Sequence, residues 1–482
     1  MRTRLIHLIN PVAHSFTTRP VYLKRALYSP LAGLLAVAGT IPRERYAVAL
    51  TDENIEPIDF EMKADLVGIT AMTSYVKRGY QVADEFRRRG VPVIMGGVHP
   101  SFMPAEALQH ADAVVVGEAE LVMHKVLDDL DRGQLRGIYK ADRLHSMVGL
   151  PSPRYDLLKS HRYVNRTFIQ TSRGCHHACT FCAEPMMYGP RFRYRPIDEV
   201  MREIDACGER VLALNDADFF GDKSRAMAIM RALKGRRVRW QAGVNSREAL
   251  DERLLDLAAE SGCFMLSIGF ESISRETLRS VHKLQNTPES YAALVKRIQG
   301  RGILVFGLFM FGFDGDDRTV FDETARFTVD AGYDVCAFSL LTPYPGTVSW
   351  FEMLRDRRIV SSDWDKYDQG HVVYRPKLLT PEELRAGHLA AYRRFYRWPS
   401  MLRRFPRAGS RSRFYWSVYN LFFGSGAVIG RDQAEAVAEP NGPPPFAAEP
   451  PLMPQHAAWR ELVAAANGPV TGGAAGEAGR VR

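Results

Sequence analysis

The sequence contains no apolar run of about eighteen residues, so no transmembrane helix is expected. Residues 1–11 lack the apolar core of a secretory signal peptide. Only six of the 482 residues are cysteine, and we expect them to be reduced in a cytoplasmic protein. No helix-turn-helix or similar pattern is visible, which argues against a nucleic-acid partner. With 46% hydrophobic and 25% charged residues, the composition is that of a globular protein with two or three domains.

Three of the six cysteines lie within eight residues, at Cys175, Cys179 and Cys182. Three thiolates are too few for a tetrahedral zinc site, and a fourth ligand from the adjacent His176 or His177 would strain the tetrahedron. Three thiolates can instead hold three irons of a cubane cluster and leave the fourth iron open to a ligand. The sequence therefore favours an iron–sulfur cluster over a zinc knuckle.

The remaining cysteines, Cys207, Cys263 and Cys336, are spread singly through apolar segments. Free cysteine is often buried as a small hydrophobic residue, so we expect these three to pack in the core.

The run Arg-Gly-Cys-His-His-Ala-Cys-Thr-Phe-Cys resembles the signature of the radical S-adenosylmethionine (SAM) superfamily, because it has both the cysteine spacing and an aromatic residue, Phe181, before the last cysteine. The resemblance implies a [4Fe–4S] cluster held by Cys175, Cys179 and Cys182, with SAM at the open iron.

Residues 1–130 alternate between short apolar runs and helical patterns. The predicted strands are 5–9, 46–50, 66–70, 92–95 and 113–116, and the clearest helical patterns are 75–89 and 119–130. This alternation predicts a doubly wound, Rossmann-like α/β domain with a parallel sheet. Ligands of such sheets bind beyond the carboxyl ends of the strands, where loops 70–75, 96–101 and 117–120 lie.

These loop sequences resemble those of cobalamin-binding domains fused to radical SAM enzymes. The resemblance implies cobalamin contacts from Thr70, Ser74, Gly96, Gly97, His99, Gly117 and Glu118. No histidine follows the Asp-x-His-x-x-Gly pattern, so we expect cobalt to lack a histidine ligand on its lower face. The alternative is that the domain has lost cobalamin and serves as a scaffold.

After residue 165 the strand and helix patterns repeat. Strands are predicted at 166–171, 211–215, 238–244, 264–270, 304–311 and 335–342, and helices at 198–207, 226–234, 251–261, 288–299 and 319–331. Six such units agree with the partial (β/α)6 barrel that the resemblance implies, with chemistry at the carboxyl ends of the strands. The implied SAM contacts are Asp216, Gln241, Arg247, Glu271 and Met310. Each polar residue among them has the alternative role of a helix cap or surface partner.

The predicted boundaries are a cobalamin-binding-like domain over 1–140, a linker over 141–165, the barrel over 166–350, a helical C-terminal region over 351–430 and a disordered tail over 431–482. Arginines and aromatic residues alternate over 393–416, which suits peripheral contact with a membrane or an acidic partner. The alternative for this segment is a solvated basic face on a packed helix.

Over residues 1–400 this order of domains resembles the cobalamin-binding radical SAM enzymes. The resemblance implies a C-methyltransferase that uses a 5′-deoxyadenosyl radical and methylcobalamin on a lipid, tetrapyrrole or natural-product substrate. It also implies a reductant such as flavodoxin or ferredoxin. Oxidative cyclisation and radical rearrangement are alternative outcomes of the same chemistry, and a non-catalytic corrinoid or redox sensor is a third alternative.

Overall fold

The computed structural model describes residues 3–12, 32–159, 163, 167–406, 410–424 and 442, without the side chains of 410–412. The tail predicted to be disordered, 431–482, lies outside the described residues except for Gly442. Residues 160–162 and 164–165 of the predicted linker, and residue 166 at the start of the predicted barrel, also lie outside them.

The first sheet has six parallel strands in the order β2-β1-β3-β4-β5-β6. They are β1 (Arg4–Asn10), β2 (Tyr46–Asp52), β3 (Leu66–Thr70), β4 (Val93–Gly96), β5 (Ala113–Val116) and β6 (Gly137–Lys140). The continuous apolar run of β5 is buried over all four residues, as expected where helices cover both faces of a parallel sheet. Edge strand β6 was not predicted, because it is short, begins with glycine and has only one buried residue.

Among the described residues, five α-helices accompany this sheet: α1 (Ala32–Gly39), α2 (Val76–Arg88), α3 (Val98–Phe102), α4 (Pro104–His110) and α5 (Met123–Asp131). Helix α2 buries Val76, Tyr80, Ala83 and Phe86, whose spacing places them on one face. Helix α3 was predicted as part of a loop, and its Pro100 lies in the first turn, where a proline is tolerated.

The second sheet also has six parallel strands, in the order β14-β13-β12-β11-β10-β7, and a short antiparallel pair, β8 and β9, flanks it. These strands are β7 (Phe168–Ile169), β8 (Ser172–Arg173), β9 (Arg193–Tyr194), β10 (Val211–Leu214), β11 (Arg239–Val244), β12 (Cys263–Glu271), β13 (Leu304–Phe311) and β14 (Val335–Leu340). The predicted six strands of the partial barrel are therefore confirmed, and the pair β8–β9 is an addition that the sequence analysis missed.

The helices of this part are α6 (Glu184–Tyr188), α7 (Ile197–Cys207), α8 (Lys223–Leu233), α9 (Glu252–Glu260), α10 (Arg275–Ser280), α11 (Tyr291–Gln299), α12 (Val320–Ala331) and α13 (Val348–Arg355). The C-terminal region adds α14 (Pro381–Tyr396), α15 (Trp398–Arg403) and α16 (Ser410–Gly424). Short 3₁₀ helices occupy Thr73–Tyr75, Ala119–Leu121, Tyr155–Leu157, Glu248–Leu250, Pro288–Ser290 and Trp364–Lys366. In the described part of the chain, no helix combines the length and apolar character needed to cross a membrane.

Helix α16 covers the middle of the second sheet on its concave face. Tyr415 stacks on Phe264 with 4.1 Å between ring centroids, and the Tyr419 hydroxyl donates to Gln241 Oε1 at 3.3 Å. Helix α16 therefore contacts the amino-terminal halves of β11 and β12, away from their carboxyl ends.

The carboxyl ends of the two sheets face each other. Phe102, after β4, lies where a side chain on Gly346, after β14, would have to go. Trp364 Nε1 donates to Glu106 Oε1 at 2.8 Å, which ties the C-terminal region to the first domain. Parallel sheets bind ligands at the carboxyl ends of their strands, and in this protein those ends of both sheets border the same interface.

Candidate active site

The cysteine loop begins with a turn that requires glycine. Gly174 has φ 84°, and a Cβ there would overlap the carbonyl oxygen of Arg191. The Cys175 amide donates to the Gly189 carbonyl at 3.2 Å, which closes the loop against the end of α6. The loop is therefore shaped by backbone contacts on both sides.

Asp216 supports the approach to this loop. Its Oδ1 accepts from the amides of Thr171 and Ser172 at 2.7 and 2.8 Å, and its Oδ2 accepts from Thr171 Oγ1 at 2.5 Å. Burial raises the pKa of the Asp216 carboxyl, and these hydrogen bonds oppose that rise. Both carboxylate oxygens therefore support the segment that leads into the cysteine loop, and the contact of Asp216 with the amino group of SAM stays a prediction.

The three thiols are free and lie in a largely buried loop. Burial raises the pKa of Cys175 to about 12 and also raises the pKa of Cys179 and Cys182, while the Lys283 ammonium opposes this for Cys179. Among the described residues, no three His, Cys, Asp or Glu side chains converge as they would around a single metal ion. A cubane cluster takes one thiolate on each of three separate irons, so this donor set fits a cluster.

Phe181, the aromatic residue before the last cysteine, packs 5.9 Å from Phe313. The Thr180 amide donates to the Val281 carbonyl at 3.2 Å, and the Ser349 amide donates to the Thr180 carbonyl at 3.0 Å. The far side of the loop is thus held by the segments that follow α10 and begin α13.

Glu271 ends β12 in a left-handed backbone conformation, with φ 63° and a register shift against β13. A non-glycine residue there costs backbone energy, which is common at functional sites. Its Oε1 lies 3.1 Å from Lys283 Nζ, and both side chains are nearly buried. A Cβ on Gly269 would overlap this carboxylate, so the small residue makes room for it. Glu271 therefore lies at the predicted carboxyl end, beside the cluster loop.

The sequence analysis did not identify Asn245 as a residue of the candidate site. Asn245 Nδ2 donates to Asp218 Oδ2 and lies 3.5 Å from His177 Nε2 of the cysteine loop. The signal was available, because Asn245 directly follows a strand that alternates buried and half-buried residues. Residues at the carboxyl ends of barrel strands are the ones that line the site.

The other three residues predicted to contact SAM differ in their surroundings. Met310 is the second-last residue of β13, pairs with Ser339 in register and is half-buried near the carboxyl end. Arg247 is exposed and donates to the Leu284 carbonyl at 3.3 Å. The predicted strand 238–244 ends where β11 ends, and Gln241, three residues before that end, accepts from the Tyr419 hydroxyl of α16. The contact of Gln241 with SAM stays a prediction.

In the first domain, the loop glycines form an open edge. Gly97 has φ 96°, and a Cβ would meet Thr70 Oγ1 at 2.7 Å, so its backbone lies directly against the end of β3. Gly96 pairs with Thr70 in register, and Ser74 lies half-buried in the 3₁₀ helix that follows. Gly117 has φ 81° and no atom within 4 Å of the position of a Cβ. The open edge at Gly117 and the close backbone at Gly97 fit the approach of a large flat ligand such as a corrin ring.

Two residues predicted to contact cobalamin, His99 and Glu118, make contacts with other protein side chains. His99 has no exposed surface, and its ring lies 4.7 Å from Trp364 with Nδ1 3.2 Å from Thr73 Oγ1. Burial lowers the pKa of His99. Glu118 accepts from Arg173 Nη1 at 2.6 Å and from Arg193 Nη1 at 2.9 Å. Both side chains therefore contribute to the packing between domains, and their contacts with cobalamin stay predictions.

Comparison with known families agrees with this arrangement. The radical SAM superfamily matches residues 169–328, and the B12-binding domain matches residues 18–127. Bacteriochlorophyllide d C-12(1)-methyltransferase of Chlorobaculum tepidum is 33% identical over 383 residues, covering 77% of this chain and 83% of that protein. The chain belongs to the B12-binding radical SAM enzymes.

More distant relatives bear on fold and chemistry. The anaerobic magnesium-protoporphyrin IX monomethyl ester cyclase of Cereibacter sphaeroides is 24% identical over 416 residues, covering 78% of this chain and 65% of that protein. The structure of the radical SAM methyltransferase TsrM from Kitasatospora setae, with cobalamin and a [4Fe–4S] cluster, superposes with a TM-score of 0.61 at 20% identity and 91% coverage of both chains. The predicted fold class is confirmed, and the cofactors of the family are a [4Fe–4S] cluster, SAM and cobalamin.

Proposed function

We propose that this enzyme is a C-methyltransferase that acts on an unactivated carbon of a small molecule. The proposal rests on one observation: the carboxyl ends of the two parallel sheets face each other. Methyl transfer from cobalamin to a substrate radical requires both cofactors to reach the same substrate. When bound, the reduced cluster and SAM supply a 5′-deoxyadenosyl radical, and methylcobalamin supplies the methyl group.

The protein's own residues would divide the work between binding and positioning. Cys175, Cys179 and Cys182 would hold the cluster. Glu271, at the end of β12, would accept hydrogen bonds from the ribose of SAM, since a carboxylate has free acceptor capacity beside its lysine partner. Met310 would pack against the adenine.

Around the reaction, the chain would exclude water and fix distances. Phe181 and Phe313 would shield the cluster loop, and Asn245 and Asp218 would orient His177 at its edge. Gly96, Gly97 and Gly117 would leave room for the corrin ring. Orientation of this kind lowers the barrier by fixing the reacting atoms before the reaction.

For the substrate, we propose a tetrapyrrole as the first class to test, because the relative at 33% identity is named for a bacteriochlorophyllide. A one-electron reductant such as flavodoxin or ferredoxin would serve the cluster. We also propose a cytoplasmic location, based on the reduced state expected of the cysteines. The basic, aromatic segment 393–416 would contribute a peripheral membrane contact.

Oxidative cyclisation is the second candidate, since a cyclase is among the relatives. The test uses anaerobically reconstituted enzyme with cobalamin, a reductant, a chlorophyllide-type substrate and SAM deuterated in its methyl group. We expect 5′-deoxyadenosine together with a product that carries the deuterated methyl. A product that has lost hydrogen and gained no label would identify a cyclase instead, and the absence of 5′-deoxyadenosine would support the sensor alternative.

A further inference from the structure

The net positive charge of this protein comes from one segment of the chain. Between Glu383 and Asp432 the sequence contains ten arginines and no aspartate, glutamate or lysine. The rest of the chain has 54 basic and 55 acidic side chains and is nearly neutral. The net charge of +9 therefore comes from this segment, which includes α15 and α16.

The same segment exposes large apolar side chains. Trp398 and Leu402, one helical turn apart on α15, are 67% and 72% exposed, and Phe405 follows them. On α16, Phe414, Val418 and Leu421 are exposed at spacings of four and three residues. Residues at these spacings share a helix face, so each helix presents an apolar stripe to solvent.

Rotation of α15 and α16 cannot bury these exposed side chains, because the opposite side of each helix already contacts the rest of the protein. Helix α16 is held by Tyr415 on Phe264 and by Tyr419 on Gln241. Arg404, which follows α15, is buried and donates to the carbonyls of Tyr333 and Phe395, each at 2.9 Å. Phe405, between the two helices, packs with its ring centroid 5.2 Å from that of Trp416 on α16. We call the outward sides of α15 and α16 the basic apolar face.

Exposed guanidinium groups lie beside the apolar stripes. Arg393, Arg397, Arg403 and Arg413 are exposed, and Arg403 is 3.2 Å from Asp330 in an exposed ion pair. A bilayer with anionic lipids accepts apolar side chains below the headgroups and cations among them, without matching individual hydrogen bonds. Tryptophan is enriched at this depth of a membrane.

We propose that the basic apolar face binds the surface of an anionic lipid bilayer, with Trp398, Leu402 and Phe414 inserted among the headgroups. The proposal is independent of methyl transfer, because it uses no residue of the site. It places the enzyme where a poorly water-soluble substrate partitions.

The experiment is co-sedimentation of the full-length protein with phosphatidylcholine vesicles, either pure or with a third phosphatidylglycerol. We expect binding to the anionic vesicles alone, with affinity that falls steeply toward about 0.5 M salt as charge is screened. The double variant Trp398→Ser/Leu402→Ser should bind at least tenfold more weakly. Leu378→Ser is the matched control, because Leu378 is 60% exposed outside the segment, and it should bind as the unchanged protein does.

Four results would overturn the proposal. One is failure of the unchanged protein to sediment with anionic vesicles. Another is equal affinity of the double variant and the Leu378→Ser control, which would leave only non-specific charge attraction. The third is a dimer in size-exclusion chromatography that the double variant converts to a monomer, which would assign the face to a second copy of the chain. Soluble polyglutamate that bound more tightly than vesicles would point to an acidic protein partner and would also overturn it.

Discussion

Arg173 and Glu118 form a buried ion pair across the interface between the two sheets, with Nη1 2.6 Å from Oε1. Arg173 stands two residues before Cys175, and Glu118 follows β5 of the first domain. Arg193, on the strand that pairs with β8, binds the same carboxylate. Arg173 Nη2 also lies 2.6 Å from Glu120 Oε1, so the two cofactor edges are linked through a buried cluster of charged side chains, and a shift of either domain would be felt at the cluster loop.

Replacing Glu118 with glutamine should destabilise the protein and loosen the cluster loop. Arg193 would lose its carboxylate partner and Arg173 would keep only Glu120, and breaking a buried pair typically costs about 3–5 kcal/mol. We expect a lower urea midpoint and a lower iron content after reconstitution and desalting.

Lys77→Ala is the control for this change, because Lys77 joins the first domain to Asp363 through a half-exposed ion pair of 2.8 Å. Pairs of that kind contribute about 1 kcal/mol or less. Equal losses in the two variants would show that Glu118 has no special role at the interface.

Replacing Cys175, Cys179 or Cys182 singly with alanine should abolish reductive cleavage of SAM, because each thiolate holds one iron. The measurement is 5′-deoxyadenosine formed by the purified, reconstituted variants. Cys207→Ala should change little, since that thiol donates to the Ile204 carbonyl within α7. Cleavage retained in any of the three variants would contradict the cluster assignment.

Gly174→Ala should prevent the cysteine loop from closing. The left-handed backbone costs about 1 kcal/mol for a non-glycine residue, and the added Cβ would also overlap a backbone carbonyl. Gly235→Ala carries the same kind of backbone cost, at φ 90°, with no atom within 4 Å of the new Cβ. The iron content should fall in the first variant and remain normal in the second; similar iron contents would refute crowding as the cause.

Glu271→Gln should weaken SAM binding at least tenfold while the protein stays folded, because glutamine keeps the shape but loses the charge. Isothermal titration of SAM into reconstituted enzyme measures this directly. The exposed Glu289, which pairs with Arg275 on the surface, supplies the control variant Glu289→Gln. Unchanged affinity in Glu271→Gln would show that the carboxylate serves only its lysine partner.

Stability should fall as the pH drops from about 6.5 to about 4. Burial lowers the pKa of both His7 and His388 to about 4, so the folded protein keeps them neutral at a pH where the unfolded chain takes up protons. Each histidine then contributes a slope of about 1.4 kcal/mol per pH unit.

Urea unfolding at several pH values tests this slope. His388→Gln should reduce it, whereas substitution of the exposed His124 by glutamine should leave it as it is. An identical slope in the His388 variant would contradict the prediction.

The sequence predicted the strands of both sheets well, because parallel strands covered on two faces are nearly continuous apolar runs. The run 304–311, for example, matches β13 at both ends. The cysteine loop was equally clear, since its chemistry depends on residue type and spacing. By contrast, β6 and the pair β8–β9 are too short and too polar to carry a periodic pattern.

The positions of polar site residues were harder to predict. Glu118 and His99 follow strands of the first sheet, as ligand residues do, but they face the neighbouring domain, which a local pattern does not reveal. Gln241 contacts Tyr419 of α16, which lies 178 residues later in the chain, and a local pattern does not reveal that contact either. Lys283 was missed because it approaches Glu271 from a loop twelve residues later.

Neighbouring residues support the cysteine loop at three points. Asp216 accepts from Thr171 and Ser172, Gly174 lies against the carbonyl of Arg191, and the Thr180 amide donates to the Val281 carbonyl. The spacing of the three thiols is therefore set by contacts outside the loop as well as by the chain between them. A substitution of Asp216 or Thr171 would reach the cluster through the position of the loop, although neither residue is a cysteine.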